Sequence, residues 1–317
     1  MDEIELAGPK ASLKGEAHDD LYPSRKGSTR QFIERKDPVV YAANSEIAPV
    51  AQSLLDHYEE HGFVVLDDVF TSEEINRFQG ELERLMVDPE IRKAGETISE
   101  LGSGDVRSIF RVHESNSLFK ALSSDQRLTD LAKFILNDDI YIHQSRINYK
   151  PGFRGKEFYW HSDFETWHVE DGMPRMRALS MSITLTENFE HNGPLMLIPG
   201  SHKQYVVCEG ETPDNHYLAS LKKQEYGVPS DTCLKTLVKE RGIVSAKSKP
   251  GSVIVFDCNV MHGSNGNITP FSRSNVFFVY NAISNKVVNP FCNQAPRPEH
   301  ICTRQNIRPI HQISGNK

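Results

Sequence analysis

The sequence has no long apolar run and few cysteines, and both shortages restrict the class of protein it can encode. Its longest apolar stretches, such as residues 62–66 and 253–256, are far shorter than the ~20 residues that span a bilayer, so no membrane association is expected. The five cysteines form no C-x-x-C pair, which argues against a zinc knuckle or a redox motif. A reducing compartment fits them best.

Charge of one sign is also not concentrated anywhere along the chain. Lys and Arg total 36 against 43 Asp and Glu, and no basic block would suit a phosphate backbone, so nucleic acid is not an expected partner. The first twenty residues are acidic and contain no apolar segment of the kind found in secretory signals. We therefore expect a cytoplasmic protein.

The pattern of turn-forming residues indicates one domain with short extensions. Residues 1–44 are polar and interrupted by proline and glycine, which predicts an irregular N-terminal arm. Residues 45–310 form the predicted domain, and 311–317 form a tail. A homodimer is the expected oligomer, because cyclic dimers are the commonest assemblies of soluble enzymes.

Helical periodicity dominates the first part of this domain. Apolar residues from Ile47 onward follow the i, i+3, i+4 spacing of an amphipathic helix. Thr71 and Glu74 have the spacing of a capping box and predict the start of a second helix. A third helix is predicted over Asp125 to Leu136.

After residue 139 the period changes to two, which is typical of β-strands. This order of elements predicts a mainly β domain, a barrel or sandwich with flanking helices. A charged stretch over 202–249 separates two of the strands and is the candidate for an insertion that covers a site as a lid. The strands predicted here are 140–150, 178–188, 195–199, 251–257 and 274–283, and a short strand at 62–66 precedes them.

Two histidines and one carboxylate suggest a metal site. His161 and Asp163 are two residues apart, so on a strand or its extended end both side chains leave from the same face. His262 follows an apolar strand and precedes a glycine that permits close backbone approach. Two histidines and a carboxylate on one face of an octahedron are the ligand set of non-haem iron(II) oxygenases.

An arginine and a serine downstream extend this pattern. Arg273 follows His262 by eleven residues, and its guanidinium can clamp the far carboxylate of a dicarboxylic acid. Ser264 can add a hydroxyl donor. Taken alone, without the preceding H-x-D, Arg273 is better explained by a salt bridge at the surface or at the barrel end.

The order H-x-D, then H, then Arg resembles the phytanoyl-CoA-dioxygenase-like group of iron(II) and 2-oxoglutarate oxygenases. The resemblance extends to the stretches 58–66 and 192–202, and so covers most of the chain. It implies a double-stranded β-helix, a jelly-roll of cupin type. It also implies iron(II) bound by His161, Asp163 and His262, with 2-oxoglutarate and O2 as cosubstrates.

A longer contiguous match narrows the family. The stretch 158–174, FYWHSDFETWHVEDGMP, together with 20–25, DLYPSR, resembles the ectoine hydroxylases. This resemblance implies hydroxylation of ectoine at ring carbon 5, with succinate and CO2 as the other products. It assigns 2-oxoglutarate to Phe158, Ser264 and Arg273, and the substrate to Gln144, Trp167, Arg146 and Thr166.

The residues themselves leave other interpretations open. Gln144 and Arg146 could be satisfied structural groups of a barrel wall, and Trp167 could be plain core, although its ring could also meet a delocalised cation. The same chemistry could act on another small zwitterion, such as a free amino acid. A zinc hydrolase would have no use for Arg273, and a non-catalytic metal-binding barrel is the remote alternative.

Overall fold

The structure is a computed structural model that describes residues 19–27, 31–42, 48–100, 102–221 and 225–311. In chain order its strands are β1 (Phe32–Glu34), β2 (Phe63–Leu66), β3 (Thr97–Ser99), β4 (Val106–Phe110), β5 (Ile140–Lys150), β6 (Phe158–His161), β7 (Ala178–Thr184), β8 (Leu195–Leu197), β9 (Gln204–Val206), β10 (Val244–Ala246), β11 (Val253–Asp257), β12 (His262–Ser264) and β13 (Arg273–Ala282).

The helices of the described residues mostly precede β5, the first of the long strands. They are α1 (Gln52–His61), α2 (Ser72–Val87), α3 (Pro89–Lys93), α4 (Val112–Ser115), α5 (Ser117–Ser123), α6 (Gln126–Leu136), α7 (Asp163–Thr166), α8 (Tyr217–Ser220) and α9 (Asp231–Arg241), with a π-helical turn at Trp167–Asp171 and 3₁₀ turns at Ser201–Lys203 and Ile283–Asn285. None of the described helices has the length and apolarity needed to cross a bilayer.

Two antiparallel sheets form the double-stranded β-helix. The larger sheet has the strand order β2-β11-β7-β13-β5-β4-β3, and the smaller has the order β10-β8-β12-β6. Apolar residues of both sheets pack together between them, among them Leu197 of β8 with Phe256 and Phe277 of the larger sheet. The predicted jelly-roll fold is confirmed, and its interior is the space between the two sheets.

The opposite face of the larger sheet is covered by helices. Residues at alternate positions of β11 and β13, such as Val255 and Phe278, pack against apolar side chains of α1, α2, α5 and α6. Side chains of a strand alternate between its two faces, so this arrangement turns their neighbours toward the barrel interior. Each Leu, Ile or Phe that is fully buried here contributes about 1.5–3 kcal/mol to folding.

Long periodic segments were predicted better than short ones. Strand β5 has the predicted bounds, whereas β7 ends at Thr184, four residues before the predicted end. Helix α1 begins at Gln52, and Ile47, the predicted start, lies outside the described residues. The short elements β1, β3, β4, β6, β9, β10 and β12 and helices α3, α4, α5, α8 and α9 were not predicted, because three to eleven residues with mixed polarity carry little periodicity.

The predicted arm and insertion pair with each other. Strand β1 of the arm runs antiparallel to β9 of the 202–249 stretch, with Ile33 opposite Tyr205. At its far end, the insertion contributes β10 to the smaller sheet. The start of the arm, 1–18, and the tail beyond residue 311 lie outside the described residues. The domain division and the action of 202–249 as a lid stay predictions.

The predicted capping box is present at the start of α2. The Thr71 hydroxyl accepts a hydrogen bond from the Glu74 backbone N–H, and the Glu74 carboxylate accepts one from the Thr71 N–H at 2.8 Å. We expect Thr71→Ala to lower the free energy of unfolding by about 1 kcal/mol, because one orphan N–H of the helix loses its partner. Urea denaturation measures the change. The control Thr236→Ala, inside α9, should lower the free energy of unfolding by less. Equal decreases in the two variants would contradict the capping role.

Candidate metal centre and active site

The two histidines of the predicted metal site are direct neighbours across a strand pair. His161 ends β6 and lies opposite His262, the first residue of β12. Directly paired residues on one face have Cβ atoms about 4.5–5.5 Å apart, and here the ring centroids are 4.3 Å apart. The smaller sheet therefore fixes the distance between the two imidazoles.

Backbone carbonyls orient both rings. Nδ1 of His161 donates to the Tyr159 carbonyl at 2.6 Å, and Nδ1 of His262 donates to the Val260 carbonyl at 2.9 Å. The proton on Nδ1 leaves the lone pair on Nε2 of each ring available to a metal. Burial lowers the pKa of His262 to about 4, with His161 beside it adding to the effect, so its imidazole is neutral near pH 7.

Asp163 completes the cluster from a helix rather than from the strand. Strand β6 ends at His161, and Asp163 is the first residue of α7, so the expectation of a shared strand face was wrong in detail. Its carboxylate oxygens nevertheless lie 3.6 Å from Nε2 of His161 and 3.8 Å from Nε2 of His262. Burial raises the pKa of Asp163, but the two imidazoles outweigh it and lower the pKa below its ordinary value.

Two further contacts connect the segments that carry these three residues. Ser162, between His161 and Asp163, donates to the side-chain carbonyl of Asn259 at 3.0 Å. The Phe164 N–H donates to the Cys258 carbonyl at 2.8 Å. The start of α7 is thereby tied to the turn that precedes His262.

Beside the metal cluster, the barrel encloses several cations. Lys150 ends β5 and is paired with Arg273 at the start of β13, and its ammonium donates to the Ser264 hydroxyl at 2.9 Å. Phe158 pairs with Ser264, and its ring lies under the Arg107 guanidinium at 3.7 Å. The structure thus brings together the three residues assigned to 2-oxoglutarate from the sequence and adds two cations to them.

The charges in this pocket are not balanced by the protein. Arg107 is paired with Glu100 at 3.0 Å, but the Nε of Arg273 has no hydrogen-bond partner among the described residues. Burial lowers the pKa of Arg273 to about 10, and Arg107 adds to the effect. Burial and the neighbouring Arg273 also lower the pKa of Lys150 well below its ordinary value. An anionic group bound here would relieve the repulsion between these cations.

The remaining substrate candidates lie along the inner face of β5. Val279 pairs with Gln144 while Tyr280 pairs with Ile142, so His143 is an extra residue, a β-bulge. The bulge reverses the alternation: Ile142 faces the helices, and the even-numbered residues after it face the barrel. The inner wall is consequently polar and consists of Gln144, Arg146, Asn148 and Lys150.

Gln144 and Arg146 are partly engaged by the protein. The Gln144 amide donates to the Ile301 carbonyl at 2.7 Å, and its oxygen accepts from Arg146 at 3.3 Å. The Nε of Arg146 has no partner among the described residues, and its guanidinium lies 5.3 Å from the ring centroid of Phe277. Arg146 therefore retains donor capacity toward the barrel interior.

Trp167 and Thr166 follow Asp163 on the same helical segment. Trp167 is 3% exposed and packs in a core cluster, with its ring centroid 5.2 Å from that of His143 in the bulge. The Thr166 hydroxyl is buried and has no partner among the described residues. The structure thus leaves both the core and the substrate interpretation of Trp167 in place, whereas Thr166 is a free polar group.

Four residues of the site were missed in the sequence, the first of them Arg107, whose guanidinium lies over Phe158. Lys150 contacts Ser264, Phe256 lies 5.2 Å from the His262 ring, and Phe277 pairs with Arg146 across the sheet. The alternation of β11 and β13 would have indicated which phenylalanines face inward. Lys150 carried no such signal, because only the bulge decides which face of β5 it occupies.

A second group of potential metal ligands has a different character. His143, Asp171 and Cys302 are all buried and close enough to share an ion. However, Arg297 donates to both oxygens of Asp171, at 2.7 and 2.5 Å, and His143 lies 3.2 Å from the same carboxylate. Since the carboxylate is already compensated, this group is an ion-pair network rather than a metal centre.

Comparisons with known proteins agree with this geometry. The family model of phytanoyl-CoA dioxygenase (PhyH) matches residues 58–275. An ectoine dioxygenase of Stutzerimonas stutzeri is 54% identical over 291 residues, which cover 92% of this chain and 96% of the relative. An ectoine dioxygenase of Sphingopyxis alaskensis is 54% identical over 285 residues, covering 90% of this chain and 93% of the relative.

Solved structures match over the same length. The crystal structure of EctD from S. alaskensis with 2-oxoglutarate and 5-hydroxyectoine superposes with a TM-score of 0.84 at 47% identity, covering 92% of this chain and 97% of that one. The form of EctD with bound Fe gives a TM-score of 0.83 at 46% identity, with the same coverage. This chain belongs to the phytanoyl-CoA dioxygenase family.

Proposed function

We propose that this chain is an ectoine 5-hydroxylase that converts ectoine, 2-oxoglutarate and O2 to 5-hydroxyectoine, succinate and CO2. The observation that carries the proposal is the match to ectoine dioxygenases at up to 54% identity over more than nine-tenths of the chain. The likeness to EctD crystallised with 2-oxoglutarate and 5-hydroxyectoine supports the same reaction.

In this proposal His161, Asp163 and His262 hold iron(II). Two imidazoles with free Nε2 atoms and one ionised carboxylate form the facial set that suits this metal and leaves positions open for other ligands. Bound iron(II) supplies the oxidative chemistry that couples decarboxylation of 2-oxoglutarate to hydroxylation of a C–H bond. The carbonyls of Tyr159 and Val260 keep both rings in the binding tautomer.

The cation-rich pocket holds 2-oxoglutarate. The Arg273 guanidinium, whose Nε has no partner among the described residues, can bind the distal carboxylate in a bidentate manner, and Ser264 and Lys150 add donors. Phe158 supplies the apolar wall along the methylene groups. The carboxylate would offset the excess positive charge of this pocket, so binding is favoured by relief of repulsion as well as by hydrogen bonds.

The inner wall of β5 and the segment after Asp163 hold ectoine. Arg146 can donate to the carboxylate of ectoine, and Gln144 keeps that guanidinium in place through its side-chain oxygen. Thr166 offers a buried hydroxyl. The face of Trp167 suits the delocalised amidinium of the ring, since aromatic faces attract cations. These groups would set which ring carbon faces the metal.

We further propose a cytoplasmic homodimer. All five cysteines are free and four of them are buried, as in proteins of a reducing compartment. Cyclic dimers are the commonest oligomers of enzymes of this size, and light scattering of the purified chain would test the proposal. Ectoine is a compatible solute, so the activity would serve the response to osmotic stress.

The metal assignment predicts the behaviour of three single substitutions. We expect His161→Ala, Asp163→Ala and His262→Ala each to lose iron and activity while the circular dichroism spectrum stays that of a folded protein. Metal analysis after reconstitution measures the loss. His191→Ala, at an exposed histidine, is the control and should retain iron. Full iron content in any of the three variants would contradict the ligand set.

The 2-oxoglutarate assignment predicts a selective change in KM. We expect Arg273→Ala to raise the KM for 2-oxoglutarate far more than the KM for ectoine, by about ten- to a hundredfold, because a charge-assisted contact of about 1.5–3 kcal/mol is lost. Arg273→Lys keeps the positive charge but loses the two parallel N–H donors, so its KM for 2-oxoglutarate should lie between those of the wild type and of Arg273→Ala. An unchanged KM for 2-oxoglutarate would indicate that Arg273 has a structural role instead.

The substrate assignment is tested with ectoine, proline and lysine side by side. We expect the purified iron-loaded chain to add one oxygen atom to ectoine, detected by mass spectrometry, and to release succinate in step with it. Turnover of proline or another amino acid without turnover of ectoine would support the oxygenase assignment and contradict the assignment of ectoine as substrate. If succinate were released with none of the three compounds, the substrate would be a different zwitterion.

Trp167 provides a second test of the ectoine pocket. We expect Trp167→Phe, which keeps an aromatic face, to retain more ectoine turnover than Trp167→Ala, and both to bind iron nearly as well as the wild type. The thermal midpoint of each variant separates a loss of packing from a loss of substrate contact. Equal turnover of all three proteins would assign Trp167 to the core alone.

A further inference from the structure

The motif DLYPSR, residues 20–25, lies in the N-terminal arm and holds none of the groups assigned to metal, cosubstrate or substrate. Its side chains nevertheless reach the segment that follows Asp163. Asp20 lies 3.0 Å from Nε2 of His168, and Ser24 donates to Glu165 at 2.7 Å. The ring of Tyr22 packs edge-on against Phe164 with centroids 5.4 Å apart. The arm is thus fastened to the active-site segment along its length.

The helical spacing of this segment separates its two sides. Asp163, Thr166 and Trp167 are related by i, i+3 and i+4, so they lie on one side. Glu165 and His168 are also three apart and lie on the other side, which contacts the arm. The orientation of the side that bears the proposed metal and substrate residues therefore depends on the contacts that the opposite side makes with the arm.

Arg25 makes the strongest of these contacts. Its guanidinium donates twice to Glu165, from Nε at 3.0 Å and from Nη2 at 2.6 Å, and its Nη1 donates to Glu170 at 2.6 Å. The side chains of Arg25 and Glu165 are each 1% exposed. One guanidinium thus bridges two carboxylates that lie five residues apart on the segment, on either side of Trp167.

The same guanidinium also contacts the 202–249 insertion. Its Nη1 donates to the Thr212 hydroxyl at 3.0 Å, and its backbone N–H donates to the Cys208 carbonyl at 2.9 Å. A Cβ on Gly227 would lie 2.2 Å from Nη2 of Arg25, so only glycine permits this approach. His216 of the insertion donates from Nδ1 to Glu170 at 2.8 Å.

We propose that Arg25 is a positioning residue for the substrate pocket: by holding Glu165 and Glu170 it sets the orientation of Trp167 and Thr166 toward ectoine. The inference rests on the proposed function, because it assigns ectoine to that side of the segment. Asp163 is held independently by the contacts of Ser162 and Phe164 with the turn before His262. Arg25 therefore acts on the substrate and not on the metal.

Planarity makes this role specific to arginine. A fork of parallel N–H donors fixes the direction of the carboxylate it binds, whereas the ammonium of lysine is a point charge with no preferred plane. Replacing Arg25 by alanine would leave the buried Glu165 without a cationic partner and Glu170 with only His216, and would endanger folding. Arg25→Lys keeps the positive charge and loses only the planar set of N–H donors. It is therefore the variant that tests the positioning role.

The experiment compares Arg25→Lys and Glu165→Gln with a control at a more exposed group of ion pairs, Arg127→Lys. Arg127 also bridges two carboxylates, Glu74 and Asp125, but it lies on α6, which contributes no residue to the proposed site. For each iron-loaded variant we would measure iron content, thermal midpoint, KM for both substrates, and 5-hydroxyectoine formed per succinate released. Tryptophan emission of the iron-free proteins reports on Trp167, one of two tryptophans, without any turnover.

We expect Arg25→Lys to lower kcat/KM for ectoine about tenfold or more, since small displacements of a bound substrate cost that much. Its hydroxylated product per succinate should fall, its tryptophan emission should shift, and iron content and the KM for 2-oxoglutarate should stay those of the wild type. Glu165→Gln should change the same quantities in the same direction, and Arg127→Lys should change only the thermal midpoint.

Two results would overturn the inference. If Arg25→Lys and Glu165→Gln changed only the thermal midpoint, as the control does, Arg25 would be a structural ion pair. If iron content fell in proportion to activity, Arg25 would act through Asp163 instead. Failure of the proposed function looks different, because the wild type would then not hydroxylate ectoine, while the emission of the iron-free variants would still report whether Arg25 holds Trp167.

Discussion

A charge that is buried in a protein interior must meet an opposite charge, and this constraint determines how the barrel and its surroundings are built. Removing one partner from a buried ion pair destabilises a protein by about 3–5 kcal/mol, because the remaining charge has lost its water as well. The interior holds more cations than carboxylates at one end, where Lys150 and Arg107 interact with Glu100 and Arg273 adds a third cation beside them. A second group of buried charges, around the segment 163–171, has protein counter-charges.

These two regions serve different purposes. Around the segment 163–171 the protein supplies its own counter-charges: Arg25 faces Glu165 and Glu170, and Arg297 faces Asp171. Such matched pairs give rigidity and direction to the groups they hold. In the cation-rich pocket the balance is left incomplete, and in the proposed function the anion of the cosubstrate completes it. A protein can thus use the same physical rule to fix its frame and to attract its ligand.

Local backbone features decide which residues take part. The bulge at His143 reverses the alternation of β5, so that Ile142 packs against the helices while Gln144 and the polar residues after it line the interior. The end of β6 at His161 allows the chain to turn into α7, which swings Asp163 toward two histidines that are already paired across the sheet. Each feature spans one or two residues, yet the site requires both.

Sequence patterns were enough to predict the fold class, the long strands, the capped helix after Thr71 and the three residues of the candidate metal cluster. These follow from periodicity, local hydrogen bonding and ligand chemistry, which depend on near neighbours or on residue type. The three-dimensional arrangement was needed to show that Asp163 approaches from a helix and that Lys150 and Phe277 lie at the candidate site. It was also needed to show that Arg25 of the arm binds the segment after Asp163. Those outcomes depend on strand register and on pairs more than a hundred residues apart, such as Arg25 with Glu165, and no local pattern encodes such pairs.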